Sequence, residues 1–221
     1  MKLGVLFSGG KDSTYAAWLV KKDGHELSCL MTVESENEES YMFHTPAIEL
    51  TRKQAELMDI PLLWKKTKGE KEIELSDLED LIKEAVEKYG IDGVVTGAIG
   101  SVYQASRIQK ICDDMKIKCV NPLWQKDQWE LLRDLIRDDF DVVIVGAFAY
   151  PLDASWIGRK IDEKFLGDVE KIYEKLKLNP AGEGGEFETL VVNCPLFREE
   201  LKIKEIRAHG EGHSWRGEVV L

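Results

Sequence analysis

Two stretches of this chain carry residues whose types and spacing can do chemistry. The first is Ser8-Gly9-Gly10-Lys11-Asp12-Ser13, which follows the apolar run Leu3-Gly4-Val5-Leu6-Phe7 and precedes the helical pattern Tyr15-Ala16-Ala17-Trp18-Leu19-Val20. Paired glycines let the backbone take left-handed angles and come close to a ligand, while the first N–H groups of a helix lack partners inside it. A phosphate suits such a place. The spacing fits neither a Walker loop nor a Gly-x-Gly-x-x-Gly dinucleotide turn. The second stretch is Asn179-Pro180-Ala181-Gly182-Glu183-Gly184-Gly185-Glu186-Phe187-Glu188-Thr189-Leu190. If residues 186 to 190 form a strand, Glu186 and Glu188 share one face and Phe187 and Thr189 the other. Two carboxylates facing a common space could hold a cation, a metal or ammonia; an acidic hairpin facing water is the alternative.

The elements that must position these stretches read as strands alternating with helices. Strands are expected at 3–7, 25–33, 61–64, 91–96 and 117–120, each mostly apolar, as when helices cover both faces of a sheet. A second small-residue turn, Gly97-Ala98-Ile99-Gly100-Ser101, follows the fourth strand. In an open parallel sheet, two such turns meet where the strand order reverses, so the 8–13 and 97–101 turns are expected side by side. Thr45-Pro46 reads as a helix start, and Ser76 with Glu79 as a capping box at an internal helix restart between Glu70 and Tyr89. The acidic run 34–41 reads as a surface loop able to act as a lid. Beyond Trp124 the pattern changes to helices at 127–138 and 161–178, a strand at 141–147, and short strands near 186–193, 202–209 and 215–221. We expect two domains, 1–124 and 125–221, the second smaller and of mixed α/β type.

With 221 residues, 43% of them hydrophobic, the chain is long enough to bury a core. No run approaches the roughly 18 apolar residues of a membrane span, and the first residues enter a strand directly, so a cytoplasmic protein with no membrane partner is expected. Cys29, Cys112, Cys119 and Cys194 form no Cys-x-x-Cys pair and read as small buried hydrophobes. A net charge of -11, from 30 Lys and Arg against 41 Asp and Glu, opposes a direct nucleic-acid partner. Trp64, Trp124 and Trp129 are expected in the core or at a domain interface.

The run Ser8 to Ser13 resembles the PP-loop of the ATP pyrophosphatases, which cleave ATP between its α and β phosphates. Taken with Gly97-Ala98-Ile99, the Tyr103-Gln104 and Arg107 helix, Pro122-Leu123-Trp124 and Gly182 to Thr189, it is similar to the diphthine-ammonia ligase family over nearly the whole chain. That resemblance implies a Rossmann-like (adenine nucleotide alpha hydrolase-like) doubly wound parallel five-stranded sheet with a smaller mixed α/β C-terminal domain. It implies ATP and Mg2+ as cofactors, ammonium as a substrate, and the diphthine side chain of translation elongation factor 2 as the acceptor. An acyl-adenylate would then give diphthamide, AMP and pyrophosphate. Ser8, Gly9, Gly10, Lys11, Asp12 and Ser13 would bind the phosphates, with Asp12 on the metal or merely capping its helix. Leu6, Phe7, Met31, Gly97 and Ala98 would cradle adenosine, and Arg107 would reach phosphate or form a surface ion pair. A quaternary ammonium group is held by aromatic faces and carboxylates. His44, Glu183, Glu186 and Glu188, with Tyr103, Tyr150 or Trp156, are therefore expected to hold diphthine and ammonium, and Lys11, Asp12, Glu186 and Glu188 to carry the catalysis. A tRNA base or small carboxylate as acceptor, and a non-catalytic nucleotide-binding regulator, stand as alternatives; a homo-oligomer is compatible with all three readings.

Overall fold

A computed structural model describes residues 1–37, 47–70 and 73–221. It divides into two compact units, one formed by Met1–Ser8 with Asp12–Trp124 and the other by Gly9–Lys11 with Gln125–Leu221. In the first unit β1 (Lys2–Leu6), β2 (Glu26–Ser35), β3 (Leu62–Thr67), β4 (Gly93–Val95) and β5 (Lys118–Val120) form one sheet in the order β3-β2-β1-β4-β5. Every pairing in it is parallel. The helices α1 (Lys11–Lys22), α2 (Thr51–Met58), α3 (Ile73–Tyr89) and α4 (Val102–Asp114) make the crossovers that parallel strands require. This is the doubly wound Rossmann-like sheet expected from the alternating pattern.

Helices on both faces exclude water from both sides of the strands, which accounts for their continuous apolar runs. Leu3, Val5, Leu30, Met31, Val94 and Val95 are all within 1% of complete burial. On α3 the apolar stripe Leu78, Leu81, Ile82 and Ala85 packs with Met31, Leu63, Val94 and Ile108. Each large side chain buried this way contributes about 1.5–3 kcal/mol, enough for one stripe to dock a helix whose other faces are polar.

Several local expectations are corrected. Helix α3 runs unbroken through Ser76 and Glu79, so there is no internal restart there. Strand β2 extends to Ser35, placing Glu34 and Ser35 of the acidic run inside the sheet, opposite Lys66 and Thr67 of β3. Thr45, Pro46 and the 38–41 part of the acidic run lie outside the described residues.

The second unit contains α5 (Gln128–Arg137), β6 (Asp141–Ala147), α6 (Glu163–Leu176), β7 (Phe187–Asn193), β8 (Glu205–Glu211) and β9 (Ser214–Val220). The strands form an antiparallel sheet in the order β7-β6-β9-β8. Both helices start on an aspartate whose carboxylate accepts a backbone N–H three residues on, Asp127 from Glu130 and Asp162 from Phe165, each at 2.8 Å. Leu131, Leu132 and Leu135 of α5 and Phe165 and Val169 of α6 are fully buried. Trp129 meets Tyr173 edge-on at 5.7 Å, joining the two helices. Among the described residues no helix is long and apolar enough to cross a membrane.

Candidate active site

The strand order reverses beside β1, so the turns after β1 and β4 lie together at the carboxyl edge of the first sheet. Their closeness is measurable. A Cβ added to Gly97 would stand 2.7 Å from the Asp12 carbonyl carbon and 2.7 Å from the Ser13 amide nitrogen. Any side chain at position 97 would displace the start of α1. Within the first turn, the Ser8 N–H donates to Ser13 Oγ at 3.2 Å and the two hydroxyls lie 3.1 Å apart, which closes the loop on itself. Gly9 has φ 77, a left-handed conformation suited to glycine.

The residues expected to cradle adenosine are held by two threonines. Phe7 donates its N–H to Met31 O at 2.8 Å, and the buried Thr32 hydroxyl donates to Phe7 O at 2.7 Å, tying the ends of β1 and β2 together. Leu6 stands in register with Met31. On the other side, the Ala98 N–H donates to Thr96 Oγ1 at 3.1 Å, and the Thr96 hydroxyl donates to Asn121 Oδ1 at 2.6 Å. The Gly97-Ala98 turn is thus fixed from the ends of β4 and β5. The sequence reading missed Thr32, Thr96 and Asn121; a threonine immediately before a glycine turn is the local signal for Thr96.

On α4, Ser101 caps the helix by accepting the Gln104 N–H. One turn on, the Arg107 guanidinium carbon stands 3.5 Å from the centroid of the Tyr103 ring. That stack covers one face of the ring expected to receive a quaternary cation. The thiols of Cys112 of α4 and Cys119 of β5 influence each other, which pulls Cys119 down and, with burial, pushes Cys112 up. Cys29 and Cys194 are buried and their thiols are pushed up to about 12. Three of the four cysteines are therefore buried as expected, with Cys119 half-buried.

In the second unit the acidic segment is a turn built around two side chains. Asn179 Oδ1 accepts from the N–H of Ala181 at 3.1 Å and of Glu183 at 3.3 Å. The Glu186 carboxylate accepts from the N–H of Asn179 at 3.2 Å and of Gly184 at 2.8 Å. Gly182 and Gly185 have φ 75 and 82, so both glycines meet a backbone requirement of the turn. Strand β7 begins only at Phe187, and the expected pairing of Glu186 with Glu188 on one strand face is not what forms. Glu186 folds back onto the turn.

Glu188 has a different setting. It stands opposite Gly146 of β6, and Gly146 on its other side stands opposite Arg216 of β9. Directly opposed residues share a sheet face. The Phe148 ring covers the glycine between them: a Cβ on Gly146 would lie 2.6 Å from Phe148 Cε2 and 3.3 Å from Glu188 Cβ. The Arg216 guanidinium carbon is 5.4 Å from the Phe148 centroid. Burial pushes the Glu188 carboxyl up to about 8 against the lowering pull of Arg216. A carboxyl in that range takes and returns a proton near neutral pH, as an ordinary glutamate does not.

Gly9, Gly10 and Lys11 belong to this second unit through β7. The Val191 N–H donates to Gly9 O at 2.9 Å, and the Lys11 N–H donates to Thr189 Oγ1 at 3.0 Å. Gly9, Gly10 and Lys11 and the strand that carries Glu188 therefore share a compact unit, a link between residues 178 positions apart. The Lys11 amide, expected to face phosphate, is directed to Thr189 instead.

The aromatic candidates separate. Trp156 is 8% exposed and packs edge-on against Phe165 at 5.7 Å, so it is a core residue. Tyr150 is 64% exposed and meets His213 edge-on at 5.2 Å. Tyr103 belongs to the first unit, Glu183, Glu186 and Glu188 to the second. Trp64, with Arg52 stacked 3.9 Å from its ring centroid, donates its indole N–H to Glu34 at 3.0 Å. His44 lies outside the described residues. Among the described residues no group of three His, Cys, Asp or Glu side chains is placed to hold a metal ion. Asp12 in the first turn of α1 is the acidic side chain of the loop itself.

Comparison with known proteins bears on the whole chain. A family model described as the diphthamide synthase N-terminal domain matches residues 1–119, and one described as the diphthamide synthase C-terminal domain matches residues 127–218. The diphthine--ammonia ligase of Rattus norvegicus is 32% identical over 225 residues, covering 92% of this chain and 83% of that protein. That of Schizosaccharomyces pombe is 32% identical over 230 residues, 96% of this chain, but the chain spans only 38% of its length. A solved structure described as a predicted subunit of tRNA methyltransferase from Methanocaldococcus jannaschii covers 90% of this chain at 20% identity with a TM-score of 0.46, too distant to bear on function. By both of its family matches, the chain belongs to the diphthamide synthase family.

Proposed function

We propose that this chain is an ATP-dependent carbon–nitrogen ligase, a diphthine-ammonia ligase, that amidates the diphthine residue of translation elongation factor 2 with ammonium in the cytoplasm. The observation that carries the reading is the pair of hydrogen bonds between β7 and the loop, Val191 N–H to Gly9 O and Lys11 N–H to Thr189 Oγ1, since it joins the nucleotide loop to the strand bearing Glu188. A carboxylate is a poor electrophile because its leaving group would be oxide. Its oxygen attacks the α-phosphorus of ATP, the bond to the β-phosphate breaks, and pyrophosphate leaves. Ammonia then adds to the acyl carbon and AMP departs with the electrons of the C–O bond.

The chain's own residues supply binding and proton transfer. Ser8, Gly9, Gly10, Lys11 and Ser13 surround the phosphates, and the N-terminus of α1 faces their charge. Leu6, Phe7, Met31, Gly97 and Ala98 hold adenosine. Arg107 acts with Tyr103 as a stacked pair at the start of α4. Asp12 fits Mg2+ because that ion needs only one or two carboxylates beside phosphate oxygens; it would neutralise charge on the departing pyrophosphate. Glu188 takes the proton that ammonium must lose before nitrogen can attack. Glu186 and Glu183 shape the acidic turn that receives the cationic acceptor, with Glu186 acting through the backbone it holds.

The test is incubation with diphthine-bearing elongation factor 2, ATP and ammonium, followed by mass analysis of the acceptor. Conversion of acid to amide with equal AMP and pyrophosphate is expected. ATP binding with no change in the acceptor would overturn the assignment.

A further inference from the structure

Thr189 lies within the acidic segment, yet its side chain serves the other end of the site. The partners step by two in opposite directions, 9 to 11 along the loop and 191 to 189 along β7. That is the spacing of an antiparallel rung, with a threonine hydroxyl standing where a backbone carbonyl would be. Strand β7 is the outermost of its sheet, so the loop covers an edge that its own sheet leaves open. Thr189 is 6% exposed and Lys11 4%, so water does not compete for the bond between them. An amide that lost its acceptor there would be left buried, which costs more than the bond itself contributes. The hydroxyl therefore fixes the direction of the Lys11 N–H, and the amides that meet a phosphate come from the rest of the loop.

We propose that Thr189 is a positioning residue for the ligase reaction: by holding the Lys11 amide to β7, its hydroxyl sets the shape of the phosphate loop from the strand that carries Glu188. The proposal rests on the ATP-binding reading of residues 8 to 13. Alignment of nucleotide and acceptor then passes through one side chain.

Thr189→Val removes the hydroxyl at constant volume and Thr189→Ser retains it. Steady-state ligation with ATP, ammonium and diphthine-bearing elongation factor 2, corrected for folded fraction, should show Thr189→Val raising KM for ATP about tenfold and lowering kcat. KM for ammonium should stay within about twofold, and Thr189→Ser should restore both ATP parameters to within about threefold of wild type. A general loss of structure is removed by that correction and leaves KM for ATP unchanged. Hydrogen exchange supplies a readout that does not need the valine variant to fold: the Lys11 amide of the wild-type protein should be protected without nucleotide. An unprotected Lys11 amide, or an unchanged KM for ATP in Thr189→Val, overturns the proposal alone. Amides 9 to 13 that ATP leaves unaltered in the wild-type protein would overturn the reading of the loop and the proposal with it.

Discussion

Replacing Glu188 by glutamine keeps the shape of the side chain and removes its ability to ionise. In the fold this carboxyl is held up to about 8, whereas the unexceptional value is 4.5. Below pH 4.5 both folded and unfolded chains hold the proton, and burial sets no pH dependence. Between 4.5 and 8 the unfolded chain releases its proton while the folded chain keeps it, so stability falls as pH rises and levels off above 8. At 1.36 kcal/mol for each pH unit, the ceiling on this destabilisation is about 5 kcal/mol. Water that reaches the ionised group recovers part of it, leaving roughly 2–3 kcal/mol at pH 9. Glutamine carries no such burden, so Glu188→Gln should be about 2–3 kcal/mol more stable than wild type at pH 9 and within about 1 kcal/mol of it at pH 5. Urea denaturation at the two pH values measures both. The same variant should lose amide formation by at least about 10²-fold, the usual worth of a general base, while its ATP affinity stays unchanged. A side chain retained despite its cost to the fold is the signature of a functional group. A stability gain equal at pH 5 and pH 9 would show that the carboxyl titrates normally, and full activity would remove it as the base.

Other perturbations address separate parts of the two units. Gly97→Ala should weaken ATP binding by about tenfold or more, because its Cβ meets backbone at 2.7 Å and backbone cannot swing aside; ATP titration by calorimetry checks it. Glu186→Ala should lower stability by about 1–3 kcal/mol in urea denaturation, because two backbone N–H groups of the acidic turn lose their acceptor. Glu186→Gln, which retains one acceptor oxygen, should lose about half as much. Trp156→Ala should cost about 3–5 kcal/mol, while Tyr150→Phe at an exposed position should leave the unfolding midpoint unchanged; thermal melts of the two variants separate core from surface.

What the sequence disclosed was decided by neighbours along the chain. The five parallel strands were legible because apolar runs alternate with helical stripes such as Leu78, Leu81, Ile82 and Ala85, each a local period. The loop at Ser8 to Ser13 was legible because glycine chemistry and helix starts are local too. The adjacency of this loop to Gly97 followed from topology alone, and the 2.7 Å approach of a Cβ to Asp12 makes it concrete. The two-residue period failed at Glu186, because it assumed a strand one residue too early. Gly185 at φ 82 turns the chain there, and Asn179 and Gly184 engage the carboxylate before β7 begins.

The three glutamates of the acidic segment show why composition could not assign their roles. Glu186 and Glu188 are the same residue type two positions apart, yet one is bound by backbone amides and the other is desolvated against a covered glycine. The difference arises from Gly146 and Phe148, some forty residues earlier, and from Arg216, nearly thirty later. A glycine at 146 leaves room for the Phe148 ring beside Glu188, where a Cβ would meet that ring at 2.6 Å. Desolvation, and with it the raised proton affinity, is thus a property of three strands in register. The same holds for Thr189, whose partner is a loop at the other end of the chain. Glu188, Thr189, Gly9 and Lys11 are brought together only when β7 pairs with β6 on one edge and with Gly9 and Lys11 on the other.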